Sequence, residues 1–125
     1  VPRLVLCSGK LFYALAGSDL REGARNVAIA RLEELYPFPS SETQQLVARY
    51  PNLQEVVWVQ EEPRNMGALA FIGPRLRTVV PREVKLHHVS RPEHASPAEG
   101  KHIDHVVEQA RVIREAFGEP SPRDL

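Results

Sequence analysis

The stretch Val56-Val-Trp-Val-Gln-Glu-Glu-Pro-Arg-Asn-Met-Gly-Ala68 passes from an apolar run into a charged turn within a few residues, and its reading decides the fold. Val56, Val57 and Val59 are β-branched and Trp58 is aromatic, the composition of a strand covered on both faces. Two carboxylates follow, and then Pro63, which has no N–H to donate and so ends the ladder. Asn65 and Gly67 suit the left-handed backbone of a tight turn. A buried strand that opens into a polar loop is predicted here.

Similar units lie on either side. Upstream, Arg3 to Cys7 holds the apolar run Leu4-Val5-Leu6, and a turn at Ser8-Gly9 leads into a helical segment from Lys10 to Ala16. Gly17, Ser18 and Gly23 break that helix before a second strand, Val27 to Leu32. The connector Glu33-Glu-Leu-Tyr-Pro-Phe-Pro39 is stiffened by its prolines. In the helix that follows, Ser41 and Gln44 have the spacing of a capping box, and Leu46, Val47 and Tyr50 give it an apolar side as far as Pro51.

Downstream of the opening stretch, Ala68 to Val80 reads as a helix that Gly73-Pro74 should interrupt. Lys85-Leu-His-His-Val-Ser90 is a more polar strand, expected at an edge of the sheet, with His87 and His88 as a surface pair. Ser96-Pro-Ala-Glu99 has the form of a capping box with Pro at the first helical position. From there Ile103, Val106, Val107, Ala110, Ile113 and Phe117 recur at helical spacing up to Gly118.

Four alternations of strand and helix predict a three-layer α/β/α domain over residues 1–118. Its mainly parallel sheet of four to five strands is joined by right-handed crossovers in the order 2-1-3-4, and residues 119–125 form a flexible tail. The chain reverses its winding between strands one and three. Ligands of such sheets enter the crevice at that point, at the carboxyl ends of the strands. Ser8, Gly9 and Lys10 reach it from one side, and Glu61, Glu62, Pro63, Arg64 and Asn65 from the other.

Composition narrows the function classes. The 125 residues, 14.1 kDa, suit one domain that buries roughly two-thirds of its unfolded surface. Sixteen basic residues balance sixteen acidic ones, so no global field draws the chain to nucleic acid or an anionic membrane, and any anion site is local. The single cysteine, Cys7, excludes an internal disulfide and fits a reducing, cytoplasmic setting. No apolar run approaches the roughly 20 residues that span a bilayer. The start at Val1-Pro-Arg3, without an initiator Met, is expected of a fragment.

Lys10, Arg64, Arg91 and Lys101, with Ser8 and Gly9 at the strand-to-helix turn, are the candidate anion pocket. The turn itself lacks the spaced glycines of a phosphate-binding fingerprint, so fold position carries that expectation. Cys7, at the end of a core strand, reads as a small buried hydrophobe rather than a nucleophile. His102 and His105 share a helix face, but two ligands do not make a zinc site. Glu61 and Glu62 diverge in an extended chain, so loop bracing or partner contact is expected of them in place of paired acid/base chemistry.

Four segments carry a resemblance: Cys7-Ser-Gly-Lys-Leu-Phe-Tyr13, Val27-Ala-Ile-Ala-Arg-Leu-Glu-Glu-Leu-Tyr-Pro-Phe-Pro39, Trp58-Val-Gln-Glu-Glu-Pro-Arg-Asn-Met-Gly-Ala68 and Ser90-Arg-Pro-Glu-His-Ala-Ser-Pro-Ala-Glu-Gly100. In this order they resemble the C-terminal part of the decarboxylating component of 2-oxoglutarate dehydrogenases, from about Arg3 to Phe117. Met66 and Leu69 depart from the family's usual Gln and aromatic.

The resemblance implies a transketolase-like C-terminal domain of a thiamine-diphosphate enzyme. Such an enzyme decarboxylates 2-oxoglutarate with thiamine diphosphate and Mg2+ and passes the succinyl group to a lipoyl-bearing succinyltransferase, in the cytoplasm or the mitochondrial matrix. The family's Gly-Asp-Gly cofactor motif is absent here. No catalytic, cofactor or metal residue is therefore expected in this chain, which alone should be inactive. Its implied work is to brace the upstream domains and the homodimer, with Glu61, Glu62, Pro63, Asn65, Met66 and Gly67 as the contact loop. The crevice is left to an acyl coenzyme A or nucleotide effector. A free-standing nucleotide- or acyl-CoA-binding module is the alternative, and a small enzyme using Cys7 or the carboxylates a third reading.

Overall fold

Alternation along three strands places apolar side chains on both faces of the sheet, and the helices are sorted by the face they cover. The computed structural model describes residues 2–24, 26–63, 67–91, 102–118 and 123–124. Its strands are β1 (Arg3–Cys7), β2 (Val27–Arg31), β3 (Glu55–Pro63), β4 (Lys85–Arg91) and β5 (Arg123–Asp124). The helices are α1 (Leu11–Ala16), α2 (Leu20–Gly23), α3 (Ser40–Ala48), α4 (Leu69–Val79) and α5 (His102–Ala116).

The sheet order is β2-β1-β3-β4-β5, with the first four strands parallel, as the alternation of elements predicts. Leu4 lies between Ala28 and Val56, and Trp58 between Leu6 and His88. On one face Leu4, Leu6, Val56 and Trp58 pack with Val47 of α3 and Leu69, Ile72 and Leu76 of α4. On the other, Val5, Cys7, Val57 and Val59 meet Leu11 and Leu15 of α1 and Val112 and Ala116 of α5. Two separate apolar cores on one sheet make the three-layer α/β/α architecture.

Four local expectations are corrected. Ser41 and Gln44 do not cap α3: the helix begins at Ser40, no side chain caps its start, and Thr43 is buried with its hydroxyl donating to the Pro39 carbonyl at 2.7 Å. Gly73-Pro74 does not interrupt α4, which runs through Pro74. Gly73 has no Cβ to collide with the proline ring, which removes part of the usual penalty before a proline. The strand β4 is not outermost, because Arg123–Asp124 pairs with it antiparallel, His87 opposite Asp124. Those two residues belong to the segment that composition marked as a loose tail.

His87 and His88 are the fourth correction, since they are not a surface pair. His88 is 3% exposed, on the Trp58 side of the sheet, with Nδ1 3.3 Å from the Ser90 hydroxyl. His87 faces the other way and its Nδ1 meets Glu55 Oε2 at 2.7 Å. A carboxylate only accepts, so Nδ1 carries the proton. The capping box expected at Ser96 to Glu99 lies outside the described residues.

Candidate functional site

At the carboxyl end of β1 the chain turns through Ser8 and Gly9 into α1, with Gly9 in the left-handed region at φ 64°. At the same end of β3 it continues past Gln60 into Glu61, Glu62 and Pro63. Since β1 and β3 are neighbours whose outgoing connections cover opposite faces, the two turns part and leave a crevice. Ser8, Gly9 and Lys10 line a cavity of about 300 Å3 together with Trp58, Gln60, Glu61, Glu62 and Ala68. The crevice predicted at the switch point is present.

Gln60 is the residue that organises it. Between Val59 and Pro63 the register of β3 against β4 shifts, so backbone groups there lose regular ladder partners. The Gln60 amide, only 4% exposed, accepts from the Trp58 indole at 3.0 Å and donates to the carbonyls of Glu62 at 3.2 Å and Pro63 at 2.9 Å. Gln60 was not among the candidate residues. A signal for it exists in the sequence: Trp58 and Gln60 are two apart in a strand, share a face, and a buried indole N–H needs an acceptor.

Glu61 and Glu62 diverge as expected of adjacent strand residues. Glu61 accepts from Gln109 Nε2 of α5 at 2.9 Å, whereas Glu62 is exposed and folds over the returning turn. Gly67 sits there at φ 68°, and a Cβ on it would lie 2.8 Å from Glu62 Oε2. The glycine thus serves both the turn conformation and the close approach of the carboxylate.

Of the proposed cations, Lys10 is exposed at the cavity and Arg91 lies beside Pro63 at the end of β4. Arg91 Nε is buried and donates no hydrogen bond among the described residues. Arg64, Asn65, Met66 and Lys101 lie outside the described residues. Nearby, Arg111 of α5 donates to the Ser90 carbonyl at 2.9 Å and pairs with Glu108 and Glu115. Burial lowers its pKa, but the bonds to Glu115 and Glu108 prevail and the group is held above its ordinary value. Arg111 thereby fastens α5 to the end of β4.

Cys7 is fully buried, and burial raises its thiol from 9.0 to about 12 against a smaller lowering by Arg31. A raised folded-state pKa favours the neutral thiol, so its contribution to stability is complete below about pH 9 and is lost as pH rises through about 12. At pH 8 a disulfide reagent should therefore modify Cys7 only as fast as the domain opens, with rapid reaction after addition of urea. Fast labelling of the folded chain would contradict this burial.

Among the described residues no three His, Cys, Asp or Glu side chains converge as metal ligands, and no described helix is long and apolar enough to cross a membrane.

Comparison with known proteins agrees with the motifs. The profile of the 2-oxoglutarate dehydrogenase C-terminal family matches residues 1–117. The 2-oxoglutarate dehydrogenase E1 component of Geobacillus sp. (strain WCH70) is 46% identical over 91% of this chain and 12% of its own length. That of Exiguobacterium sp. (strain ATCC BAA-1283 / AT1b) is 47% identical over 94% of the chain and 12% of its own length. That of Bacillus subtilis (strain 168) is 43% identical over 94% and 13%. The chain thus spans about an eighth of these relatives, and the family match over residues 1–117 shows that it belongs to the 2-oxoglutarate dehydrogenase C-terminal family.

Proposed function

We propose that this chain is the assembly domain of a larger 2-oxoglutarate dehydrogenase and contributes no reacting group of its own. The observation that carries the reading is the use made of the chemistry-bearing residues around the crevice. Glu61 is engaged by Gln109, Gln60 by Trp58 and the loop carbonyls, and Cys7 is buried. Gln60 and Glu61 thereby hold the end of β3 in shape. In the parent enzyme, thiamine diphosphate and Mg2+ sit in upstream domains and supply the decarboxylation. The succinyl group then goes to the lipoyl arm of a partner acyltransferase, in a cytoplasmic homodimeric complex. The loop from Glu61 to Gly67 meets the neighbouring domains.

The same reading gives the crevice an anionic effector, an acyl coenzyme A or a nucleotide. Arg91 supports it, because its buried Nε donates no hydrogen bond among the described residues and a charge-assisted bond to an anion would satisfy it. Lys10 lines the cavity, and Arg64 and Lys101 are further cations that the sequence offers to such a ligand. Titration of the full-length enzyme with acetyl coenzyme A and with AMP should give saturable binding, weakened about tenfold or more by Arg91→Ala, the loss of one charge-assisted contact. Binding unchanged by Arg91→Ala and Lys10→Ala would remove the effector. The assembly role has its own test: a reading frame upstream of Val1 should encode a long chain with a Gly-Asp-Gly motif, and an initiator Met immediately before Val1 would exclude it.

A further inference from the structure

We infer that the amino end of the sheet is a docking surface for an acidic segment of a separate partner polypeptide. It lies at the opposite end of the strands from the crevice, leaves the crevice open, and does not depend on the parent-enzyme reading. In a parallel α/β unit each helix runs back against its strands, so α3 and α4 end where β3 and β4 begin. Four cations gather there: Arg49 directly after α3, Arg77 in the last turn of α4, Arg82 in the turn that follows, and Lys85 at the start of β4. The two helices pack on each other, and Tyr50, Leu53 and Val79 close the core between them. All four cations are exposed, and among the described residues none makes a side-chain hydrogen bond or an ion pair.

The chain as a whole is neutral, yet from Leu69 to Arg82 it holds Arg75, Arg77 and Arg82 and no acidic residue. Helix ends account for part of this, because the carboxyl terminus of a helix carries about half a negative unit that favours a nearby cation. Arg49 and Arg77 fit that role, whereas Arg82 and Lys85 lie beyond the helices. Against the four cations stand about one negative unit from the two helix ends and the Glu83 carboxylate, so the surface stays positive. Glu55 at the same end is already held by Arg3 and His87.

Charge complementarity selects the occupant. A guanidinium without a partner presents a fork that matches a carboxylate, and opposed charges of this kind steer partners together. Phosphate fits the fork as well, so the arrangement has to separate a polypeptide from a nucleic acid. Glu83 stands between Arg82 and Lys85, where a continuous row of phosphates would meet a like charge. A polypeptide can set a donor at that place and carboxylates on either side of it. A recess of about 450 Å3, lined in part by Leu53, Gln54, Glu83 and Lys85, opens at the same end and has room for a side chain of such a segment. The net charge of zero also withholds the long-range field by which polyanions are drawn in.

Fluorescence anisotropy of a labelled oligoglutamate peptide, titrated with the purified full-length protein, tests the surface. Docking predicts saturable binding at low ionic strength that weakens as salt is raised to about 0.15 M, where exposed charges are screened beyond about 8 Å. Arg77→Glu and Arg82→Glu should each weaken it about tenfold or more, since reversal sets like charges against each other. Arg114→Glu makes the same charge change at an exposed position of α5, on the other face of the sheet, and should leave binding within about twofold. Arg77→Gln and Arg82→Gln, which remove the charge and keep a polar side chain, should weaken binding without altering the thermal transition. The proposal is overturned by the absence of saturable binding, by binding that none of the Arg77 and Arg82 variants weakens, by an equal loss in Arg114→Glu, or by tighter binding of a single-stranded oligonucleotide of the same charge.

Discussion

Replacement of Trp58 by alanine should cost about 4 kcal/mol, the usual range for a fully buried aromatic in a core. Trp58 is 1% exposed, the largest of the fully buried side chains, and sits in β3 between β1 and β4 where it meets the α3 and α4 core. Its loss opens a cavity in the middle of the sheet and also strips the indole from Gln60 Oε1. A domain of this size has about 5–15 kcal/mol in all, so the variant should be largely unfolded at physiological temperature or shifted down by roughly 15 °C. Trp58→Phe keeps most of the ring volume and loses the N–H, so it should cost about 1–2 kcal/mol and loosen mainly the loop that Gln60 organises. Urea unfolding of the three proteins measures both. A cost below about 1 kcal/mol for the alanine variant would contradict the packing described.

Arg3→Leu should have the second largest effect, about 2–3 kcal/mol, by dismantling a charged network at the opposite end of the sheet. Arg3 Nε and Nη2 reach Glu55 Oε1 at 2.7 and 2.6 Å, and Nη1 donates to the carbonyls of Ala116 at 3.1 Å and, more weakly, Glu115 at 3.4 Å. Glu55 in turn binds His87 at 2.7 Å. One guanidinium therefore ties β1, β3 and the end of α5 together: it gives the Ala116 carbonyl at the helix end a donor and adds a weaker one to the Glu115 carbonyl, which also accepts from Gly118 N–H at 3.0 Å. The side chains are part-exposed, 13% for Arg3 and 19% for Glu55, which keeps the cost below that of a fully buried pair. Leucine leaves Glu55 with His87 alone and frees the end of α5. Hydrogen exchange should quicken in the last turn of α5 while the centre of β3 stays protected. Lysine at position 3 should recover less than half of the loss, since an ammonium cannot reproduce the fork. A loss under about 0.5 kcal/mol for Arg3→Leu would mean that solvent already satisfies these groups.

The parts of the fold legible in the sequence are those where one physical signal acts alone. Leu4 to Cys7 and Val56 to Val59 are continuous apolar runs because both faces of their strands are covered, and four such units with intervening helices allow few arrangements besides the observed order. Misreadings arise where tertiary packing overrides local preference. His88 resembles a surface residue by type, yet its place beside Trp58 in the register puts it in the core. Pro74 resembles a helix breaker, yet Gly73 before it lets α4 continue. The pairing of β5 with β4 depends on contacts between residues far apart in sequence, which no local pattern announces.

For the candidate site, position was legible and organisation was not. The switch-point rule brings Ser8 to Lys10 and Glu61 to Glu62 to one cavity, because it follows from topology alone. The role of Gln60, the pairing of Glu61 with Gln109, and the bond of Arg31 to Tyr13 all join residues through space. Tyr13 and Arg31 are eighteen residues apart, and their contact exists only because β1 and β2 lie side by side.

The central claim is that the chemistry of the parent enzyme lies outside this chain. Its most direct test is decarboxylation of 2-oxoglutarate, followed as carbon dioxide release with thiamine diphosphate and Mg2+ supplied, by the full-length protein and by the 125-residue chain at equal molarity. The account predicts turnover by the full-length protein and no rate above the uncatalysed background from the chain. Turnover by the chain alone would contradict it.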